Sequence, residues 1–162
     1  MPDFRIKRSK DNEELPEIIE LLADAWAIAR SVTKRQQILD SATRGQRLLC
    51  GYYFYWDDVT NGGHHQYFWN YTGNLWLEAL EATRILRLPE EKILRSAVAL
   101  FPKKQPGQTE RERRKQLAKI DSAKFDKLDD RFYSLDGAYE RIRQFIKRNS
   151  NDFFIPKRLQ RR

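Results

Sequence analysis

Two neighbouring histidines follow two neighbouring aspartates along the chain, and both residue types can ligate metals. The pairs are Asp57 with Asp58 and His64 with His65; imidazole and carboxylate are ordinary ligands of zinc and of other transition metals. Adjacent residues of a helix point about 100° apart, so the two imidazoles cannot readily chelate one ion together. We therefore expect no metal site and no bound cofactor. We expect one histidine to pack in the core and the other to cap a helix or lie exposed.

Two further carboxylates and the single cysteine are the remaining candidates for catalysis. Asp129 and Asp130 are adjacent, and with a histidine they would supply the groups of an acid–base site. Adjacent carboxylates are common on exposed helices, however, and nothing in the sequence predicts that they share a cleft with a histidine. Cys50 lies at the edge of an apolar stripe, where burial keeps a thiol neutral. We therefore predict that the chain is not an enzyme.

Basic residues are concentrated in the second half of the chain. The formal net charge is +8; residues 1–81 carry 9 basic and 12 acidic groups, and residues 82–162 carry 22 and 11. This asymmetry predicts an acidic partner, with nucleic acid, an anionic membrane surface and an acidic protein as the alternatives. The candidate polyanion-binding residues are Arg111, Arg113, Arg114, Lys115 and Lys119, followed by Lys157, Arg158, Arg161 and Arg162 at the C-terminal end. Arg111, Lys115 and Lys119 recur every four residues and would line one helical face.

The segment from Leu48 to Leu77 holds ten of the 20 aromatic residues and only two charged ones. Rings at this density could form a stacking platform for nucleobases or a ligand pocket. A single-strand binding groove interleaves its rings with lysine or arginine, and this segment has neither, so we interpret most of the rings as core. The five successive aromatics from Tyr52 to Trp56 cover more than one helical turn. We expect one or two of them to pack against another element or another subunit.

Apolar residues recur at helical spacing along the chain. A first helix is predicted to begin near Pro16, and a second to run without a break from Thr33 to Val59. Residues that tolerate positive φ then predict a sharp turn at Asn61, Gly62 and Gly63. Further along, the pattern predicts a helix capped by Asn74, a helix that begins at Pro89, a loop from Lys103 to Gln108, a break near Asp121 and Ser122, and an extended tail from Asn149.

No strand periodicity, internal repeat or low-complexity tract interrupts this pattern. We predict an all-α fold: one compact domain of roughly six to eight helices with short loops. Residues 1–10 would form an N-terminal arm, residues 11–149 the helical domain and residues 150–162 a basic tail. A single cysteine cannot form an internal disulfide, and no apolar stretch approaches the roughly 20 residues that a membrane span needs. We therefore expect a soluble, cytoplasmic protein.

Part of the aromatic segment resembles a family motif. The run YWDDVTNGGHHQYFWN at residues 55–70 is similar to the hallmark of the DNA-mimic-protein-like family of uncharacterised helical domains. In that family an Asn-Gly-Gly stretch, two residues, Gln, an aromatic pair and Asn lie between two helices. The matching positions are Asn61, Gly62, Gly63, Gln66 and Asn70. A weaker similarity is the run LDDRFY at residues 128–133, and the resemblance spans roughly residues 35–148.

The resemblance implies an all-α fold without established catalytic residues. One activity described for the family is mimicry, in which an acidic surface occupies DNA-binding proteins such as a transcription regulator. A net charge of +8 argues against mimicry by the whole chain, since it requires carboxylates at phosphate-like spacing. A local acidic face stays an alternative, formed by Asp121, Asp126, Asp129, Asp130 and Asp136. We interpret Asn61, Gly62 and Gly63 as a tight turn in which Asn61 caps a neighbouring helix.

Two function classes follow. The first is a non-enzymatic helical interaction module that binds a protein partner, with homodimerisation through exposed aromatics as a variant of it. The second is salt-sensitive binding of nucleic acid or another polyanion by the basic second half of the chain. Neither requires a cofactor or a membrane.

Overall fold

The computed structural model describes residues 2–7 and 15–156, and of residues 15–17 only the backbone. The predicted tail residues Lys157, Arg158, Arg161 and Arg162, and part of the predicted N-terminal arm, lie outside this range. In the described part of the chain the elements are helices and one isolated parallel bridge between Ile6 and Phe154. The all-α prediction is therefore confirmed. The α-helices are α1 (Leu15–Ile28), α2 (Val32–Ser41), α3 (Arg44–Trp69), α4 (Trp76–Ile85), α5 (Glu90–Val98), α6 (Glu110–Leu117), α7 (Ala123–Tyr133), α8 (Tyr139–Arg148) and α9 (Ser150–Phe153).

The described residues fall into two compact units. The terminal unit comprises the residues up to Cys50 together with those from Ala138 onward, and the central unit is Gly51–Gly137. The domain boundaries given by the sequence stay a prediction.

In the terminal unit, α1 packs against α2 and α8. The buried residues of α1, among them Leu22 and Trp26, follow the predicted apolar stripe. The prediction of one long helix from Thr33 to Val59 is wrong, because the helix is interrupted between Ser41 and Arg44. There the Thr43 backbone N–H donates to Gln46 Oε1 (3.0 Å), and the Gln46 N–H donates to Thr43 Oγ1 (3.2 Å). This reciprocal pair is a capping box, which begins a new helix.

The C-terminal segment also differs from the extended tail predicted from Asn149. Residues Ser150–Phe153 form the single turn of α9, and extended backbone begins at Phe154. The Asp152 carboxylate accepts from the Gly45 N–H (2.7 Å), and the Asp152 carbonyl accepts from Thr43 Oγ1 (2.9 Å). These bonds explain the short helix, since they fix its backbone against the start of α3.

In the central unit, residues of α4, α5, α6 and α7 contact the aromatic part of α3. Helix α5 packs against both α4 and α7, and α6 packs against a 3-10 turn at Tyr71–Leu75. Most rings of the aromatic segment are core: Tyr55, Tyr67 and Phe68 have no exposed surface. Tyr53 is 39% exposed, because five successive aromatics cannot share one helix face.

Of three further predicted boundaries, one agrees with the structure and two differ from it. The break near Asp121 and Ser122 is present, since α6 ends at Leu117 and α7 begins at Ala123. Asn74 does not cap α4, which begins after the 3-10 turn without a side-chain cap bond. The predicted loop from Lys103 to Gln108 begins within a second 3-10 turn at Pro102–Lys104.

Candidate functional site

The Asn-Gly-Gly stretch lies at a kink within α3. Gly62 (φ −164°, ψ 20°) and Gly63 (φ 77°, ψ 178°) leave helical geometry, and the helix then resumes. A φ of 77° lies in the left-handed region that favours glycine. The Asp129 carboxylate of α7 also contacts Gly63 where a side chain would begin. Asn61 does not cap a neighbouring helix as predicted: its side chain is exposed and donates to Asp57 of the same helix (3.3 Å).

Immediately after the kink, His64 is held between two partners. Asp129 Oδ1 lies 2.9 Å from the His64 backbone nitrogen and 2.5 Å from Nδ1. Nε2 lies 3.0 Å from the Tyr55 hydroxyl. A carboxylate only accepts, so Nδ1 carries the proton and Nε2 is free to accept from the hydroxyl. Burial raises the pKa of Tyr55 well above its usual value, which keeps this hydroxyl a donor.

This chain of Tyr55, His64 and Asp129 has the connectivity of an acid–base relay, but it is enclosed. His64 and Tyr55 have no exposed surface, and the Asp129 side chain is 17% exposed. The sequence raised a histidine with Asp129 and Asp130 as an acid–base alternative; the structure unites His64 with Asp129 and leaves Asp130 exposed. The bonds from Asp129 to His64 link α7 to the kink of α3. Because its carboxylate is used in these bonds and is mostly buried, Asp129 is not part of the local acidic face that the sequence offered as an alternative.

The remaining motif residues converge on Asp58. Asn70 Nδ2 donates to Asp58 Oδ1 (2.7 Å), and Thr72 Oγ1 donates to Oδ2. Gln66 Nε2 lies 3.5 Å from the Asp58 carbonyl oxygen, at the outer limit of a hydrogen bond. Burial is the largest influence on the carboxyl and raises the pKa of Asp58, against the lowering by these donors. We therefore interpret Asp58 as a member of a buried polar cluster rather than as a metal ligand.

Arg113 is the most deeply enclosed basic residue of the central unit. Its guanidinium donates to the carbonyls of Phe68 (2.9 Å), Asn70 (2.8 Å) and Gly107 (3.0 Å) and to Asn74 Oδ1 (2.7 Å). Two of these carbonyls lie at the C-terminal end of α3, where helix carbonyls lack intrahelical partners. Burial lowers the pKa of Arg113 to about 10. Arg113 must therefore be removed from the candidate polyanion-binding residues, because no surface of it reaches solvent.

The other residues of the central basic cluster reach the surface. Arg111, Lys115 and Lys119 are exposed, although Lys119 lies in the turn after α6 rather than on the helix. Arg114 donates from Nε to the Trp69 carbonyl (3.1 Å), places its guanidinium 4.7 Å from the Trp69 ring centre and forms an ion pair with Glu110. Arg113 and Arg114 thus bind the end of α3 together.

A comparison with protein-family models matches residues 40–149 to the model described as DMP19-like protein. The chain belongs to the DMP19-like protein family. This confirms the resemblance that the Asn-Gly-Gly run indicates. Neither the curated proteins nor the solved structures give a match. The match covers α3 to α8, and hence the kink, the Asp58 cluster and Arg113, whereas α1 lies outside it.

The part of this DMP19-like chain that the structure describes contains no group of three or more His, Cys, Asp or Glu residues arranged to hold a metal ion. His65 does not join His64: its ring stacks on Trp69, with the two ring centres 6.0 Å apart and the planes 20° apart. Among the helices described for residues 2–7 and 15–156, none is long and apolar enough to cross a membrane.

Three features of the DMP19-like chain were not found from the sequence. Trp69 meets Arg114 across 45 residues, and no local pattern reveals such a pairing. Helix α8 presents an exposed basic face, formed by Arg141, Arg143, Lys147 and Arg148, which helical spacing would have shown. The third feature is a set of exposed apolar residues on α1 and at the start of α2. Its residues Leu21, Ile28 and Val32 are 50%, 79% and 63% exposed.

Proposed function

We propose that this DMP19-like protein is a non-enzymatic interaction module of the cytoplasm, and that it binds a protein partner through the outer face of α1. The observation that carries this proposal is the exposed apolar set Leu21, Ile28 and Val32. Single exposed apolar residues are ordinary, but several on one stretch of chain are typical of protein interaction sites. Ile28, at 79% exposure, is the most exposed of the three.

The sequence of α1 supports a second packing surface. Its inner face already buries Ile18, Leu22 and Trp26 within the terminal unit. A helix that packs by one face needs one apolar stripe, and the opposite face is ordinarily polar. Leu21 and Ile28 are seven residues apart, so they lie on one side of the helix two turns apart. Helix α1 lies outside the residues that match the family model.

The test compares Ile28→Asp with a matched control, Leu77→Asp. Leu77 is 47% exposed on α4 in the central unit, so both changes add one charge to an exposed apolar position. Immobilised wild-type and variant proteins are incubated with extract of the source cells, and bound proteins are quantified by mass spectrometry. Light scattering after size exclusion measures self-association in parallel.

We expect a protein, or a second copy of the chain, to bind the wild type and Leu77→Asp but to bind Ile28→Asp at least tenfold less. Val32→Asp should give the same loss, since it changes the same surface. Equal recovery on all three proteins, or a monomer that retains nothing, would contradict the proposal. Circular dichroism of each variant verifies that the helices are intact.

A second candidate function is salt-sensitive polyanion binding by the central unit. It is supported by the exposure of Arg111, Lys115 and Lys119 along and just beyond α6. Phosphate binding by such residues releases counterions, so affinity should fall steeply with salt and depend little on base sequence. An anisotropy titration with labelled random-sequence DNA, at low and at physiological salt, measures this. The triple change to Glu at these positions should abolish binding; unchanged binding would remove the assignment from α6.

The basic face of α8 provides the comparison for that titration. Arg143→Glu with Lys147→Glu changes two exposed cations of the terminal unit and lowers the net charge by 4, against 6 for the triple change. If α6 carries the site, this pair should weaken binding only through long-range charge, by about two- to threefold at physiological salt.

A further inference from the structure

An exposed tryptophan of the central unit has a cation and an imidazole against its ring. Trp69 is 43% exposed, which is unusual for so large an apolar side chain. The Arg114 guanidinium lies 4.7 Å from its ring centre, within the range of a cation–π contact. The His65 ring lies nearly parallel to it, with the ring centres 6.0 Å apart. These three flat side chains are called here the Trp69 stack, and the indole keeps 43% of its surface exposed within it.

The same arginine lines an anion-attracting depression. A shallow surface cavity of about 520 Å³ is bordered by Glu110, Arg111, Arg114, Lys115 and Ala118. It presents three cations and one carboxylate, and that carboxylate already pairs with Arg114. Arg114 therefore joins a basic depression to the Trp69 stack at one place on the surface.

We propose that the Trp69 stack and this depression together form a binding site for single-stranded nucleic acid. A phosphate would lie among Arg111, Arg114 and Lys115, and a neighbouring base would stack on the exposed part of Trp69 or on the guanidinium plane of Arg114. Such sites combine aromatic rings with basic residues. The aromatic segment of the sequence has no lysine or arginine between its rings, and the fold supplies them from α6.

The geometry favours a single strand over a duplex. In a duplex the bases stack on one another and offer no free face to a side chain, whereas an unpaired base can leave its neighbour and stack on an indole. An acidic peptide would use the cations of the depression but would leave the exposed part of the Trp69 indole unused. This proposal rests on the polyanion-binding candidate and assigns it a ligand class and a site.

The experiment titrates the full chain with a fluorescein-labelled oligothymidylate of about 10 nucleotides, a length that one small single-strand site covers. The matching duplex and polyglutamate serve as comparison ligands. Trp69→Ala removes the ring, Trp69→Phe retains a smaller one, and Leu77→Ala is the control at an exposed apolar position of the same unit. Intrinsic fluorescence gives a second readout, because a stacked base should quench Trp69, whereas Trp26 and Trp76 are buried and Trp56 is half-buried.

We expect the single strand to bind more tightly than the duplex and than polyglutamate. Trp69→Ala should weaken single-strand binding about tenfold or more and remove the quenching, with duplex binding changed less than about twofold. Trp69→Phe should retain most of the affinity, and Leu77→Ala all of it. Arg111→Glu with Lys115→Glu should weaken binding of every anionic ligand.

Two results would overturn the proposal, and they differ in whether polyanion binding by α6 is refuted as well. If Trp69→Ala binds the single strand as the wild type does while the charge variant fails to bind, the stacking site is refuted and polyanion binding remains. If no nucleic acid binds even at low salt, both are refuted.

Discussion

Arg113 offers the sharpest test of how the central unit is held together. Replacing it with methionine keeps a long apolar side chain in the same buried position and removes the guanidinium. Four acceptors lose their donor, of which the Phe68 carbonyl is fully buried and the other three are partly buried. A buried acceptor left unsatisfied costs about 1–3 kcal/mol. Four acceptors at this cost together amount to about 4–12 kcal/mol. Because water can reach the three partly buried atoms, we take a value below the middle of that range, about 7 kcal/mol.

The opposing contribution comes from the burial of the cation. Burial lowers the pKa of Arg113 from 12.5 to about 10, so the buried charge is less stable than in water by about 3 kcal/mol. Methionine removes that penalty. The net expectation is a loss of about 4 kcal/mol in the free energy of unfolding, in the range found when one partner of a buried charged network is removed. The melting temperature should fall by about 10 °C.

The matched control is the next residue of the same helix. Arg114→Met removes a partly exposed guanidinium with one backbone hydrogen bond and one indole contact. That change should cost about 1 kcal/mol, because exposed ion pairs and cation–π contacts contribute little. Urea unfolding followed by circular dichroism and by tryptophan fluorescence measures both variants. Two variants destabilised equally, within about 1 kcal/mol, would refute the assignment of Arg113 as the buried link between α6 and the end of α3.

Three further predictions concern the motif. Gly63→Ala should cost about 2–3 kcal/mol, because φ is 77° and the new Cβ would collide with a carboxylate, whereas Gly137→Ala, with nothing within 4 Å, should change unfolding by less than about 0.5 kcal/mol in urea. Asp129→Ala should cost about 3 kcal/mol in thermal unfolding by leaving two buried donors unsatisfied, and exposed Asp130→Ala almost nothing. Burial raises the pKa of Asp58 above 3.8, so the folded state binds its proton more readily than the unfolded state. Acidification from neutral pH to about pH 4 should therefore stabilise the wild type relative to Asp58→Asn, and a constant difference would contradict this.

Elements whose signals are local could be predicted from the sequence. Helix α5 begins at Glu90 after Pro89 and buries Ile93 and Leu94 as its spacing indicates. Proline in a first turn and carboxylates at a helix start act on their immediate neighbours. The same holds for the Gly62 and Gly63 interruption, which depends on the backbone freedom of glycine.

The break before α3 was missed although its signal is also local. Apolar spacing continues through it from Ile38 to Leu49, so periodicity alone indicates one helix. Thr43 and Gln46 have the spacing of a capping box, and their reciprocal bonds interrupt the helix and begin α3. The cap satisfies two backbone N–H donors, and a continuous helix would satisfy the same donors with its own carbonyls. An interrupted helix and a continuous helix are therefore close in energy at this point.

The pairings of the candidate site could not be predicted, because they join distant parts of the chain. Asp129 reaches His64 across 65 residues, and Arg113 reaches Phe68 across 45. One signal did exist for Arg113. It lies four residues before Leu117, the buried apolar residue of α6, so the two share a helix face and Arg113 faces inward.

The distribution of these contacts bears on where the function lies. Gln66, Asn70 and the histidine of the motif direct their polar groups at Asp58, Asp129 and Tyr55, all within the central unit. Residues committed to such internal bonds cannot also bind a partner without losing them. The motif that identifies the family therefore accounts for its fold. In the functions proposed above, binding belongs to exposed side chains of α1 and α6, which can change with little effect on stability. Variants of the motif should thus alter stability first, and variants of the two surfaces should alter binding in a protein that remains folded.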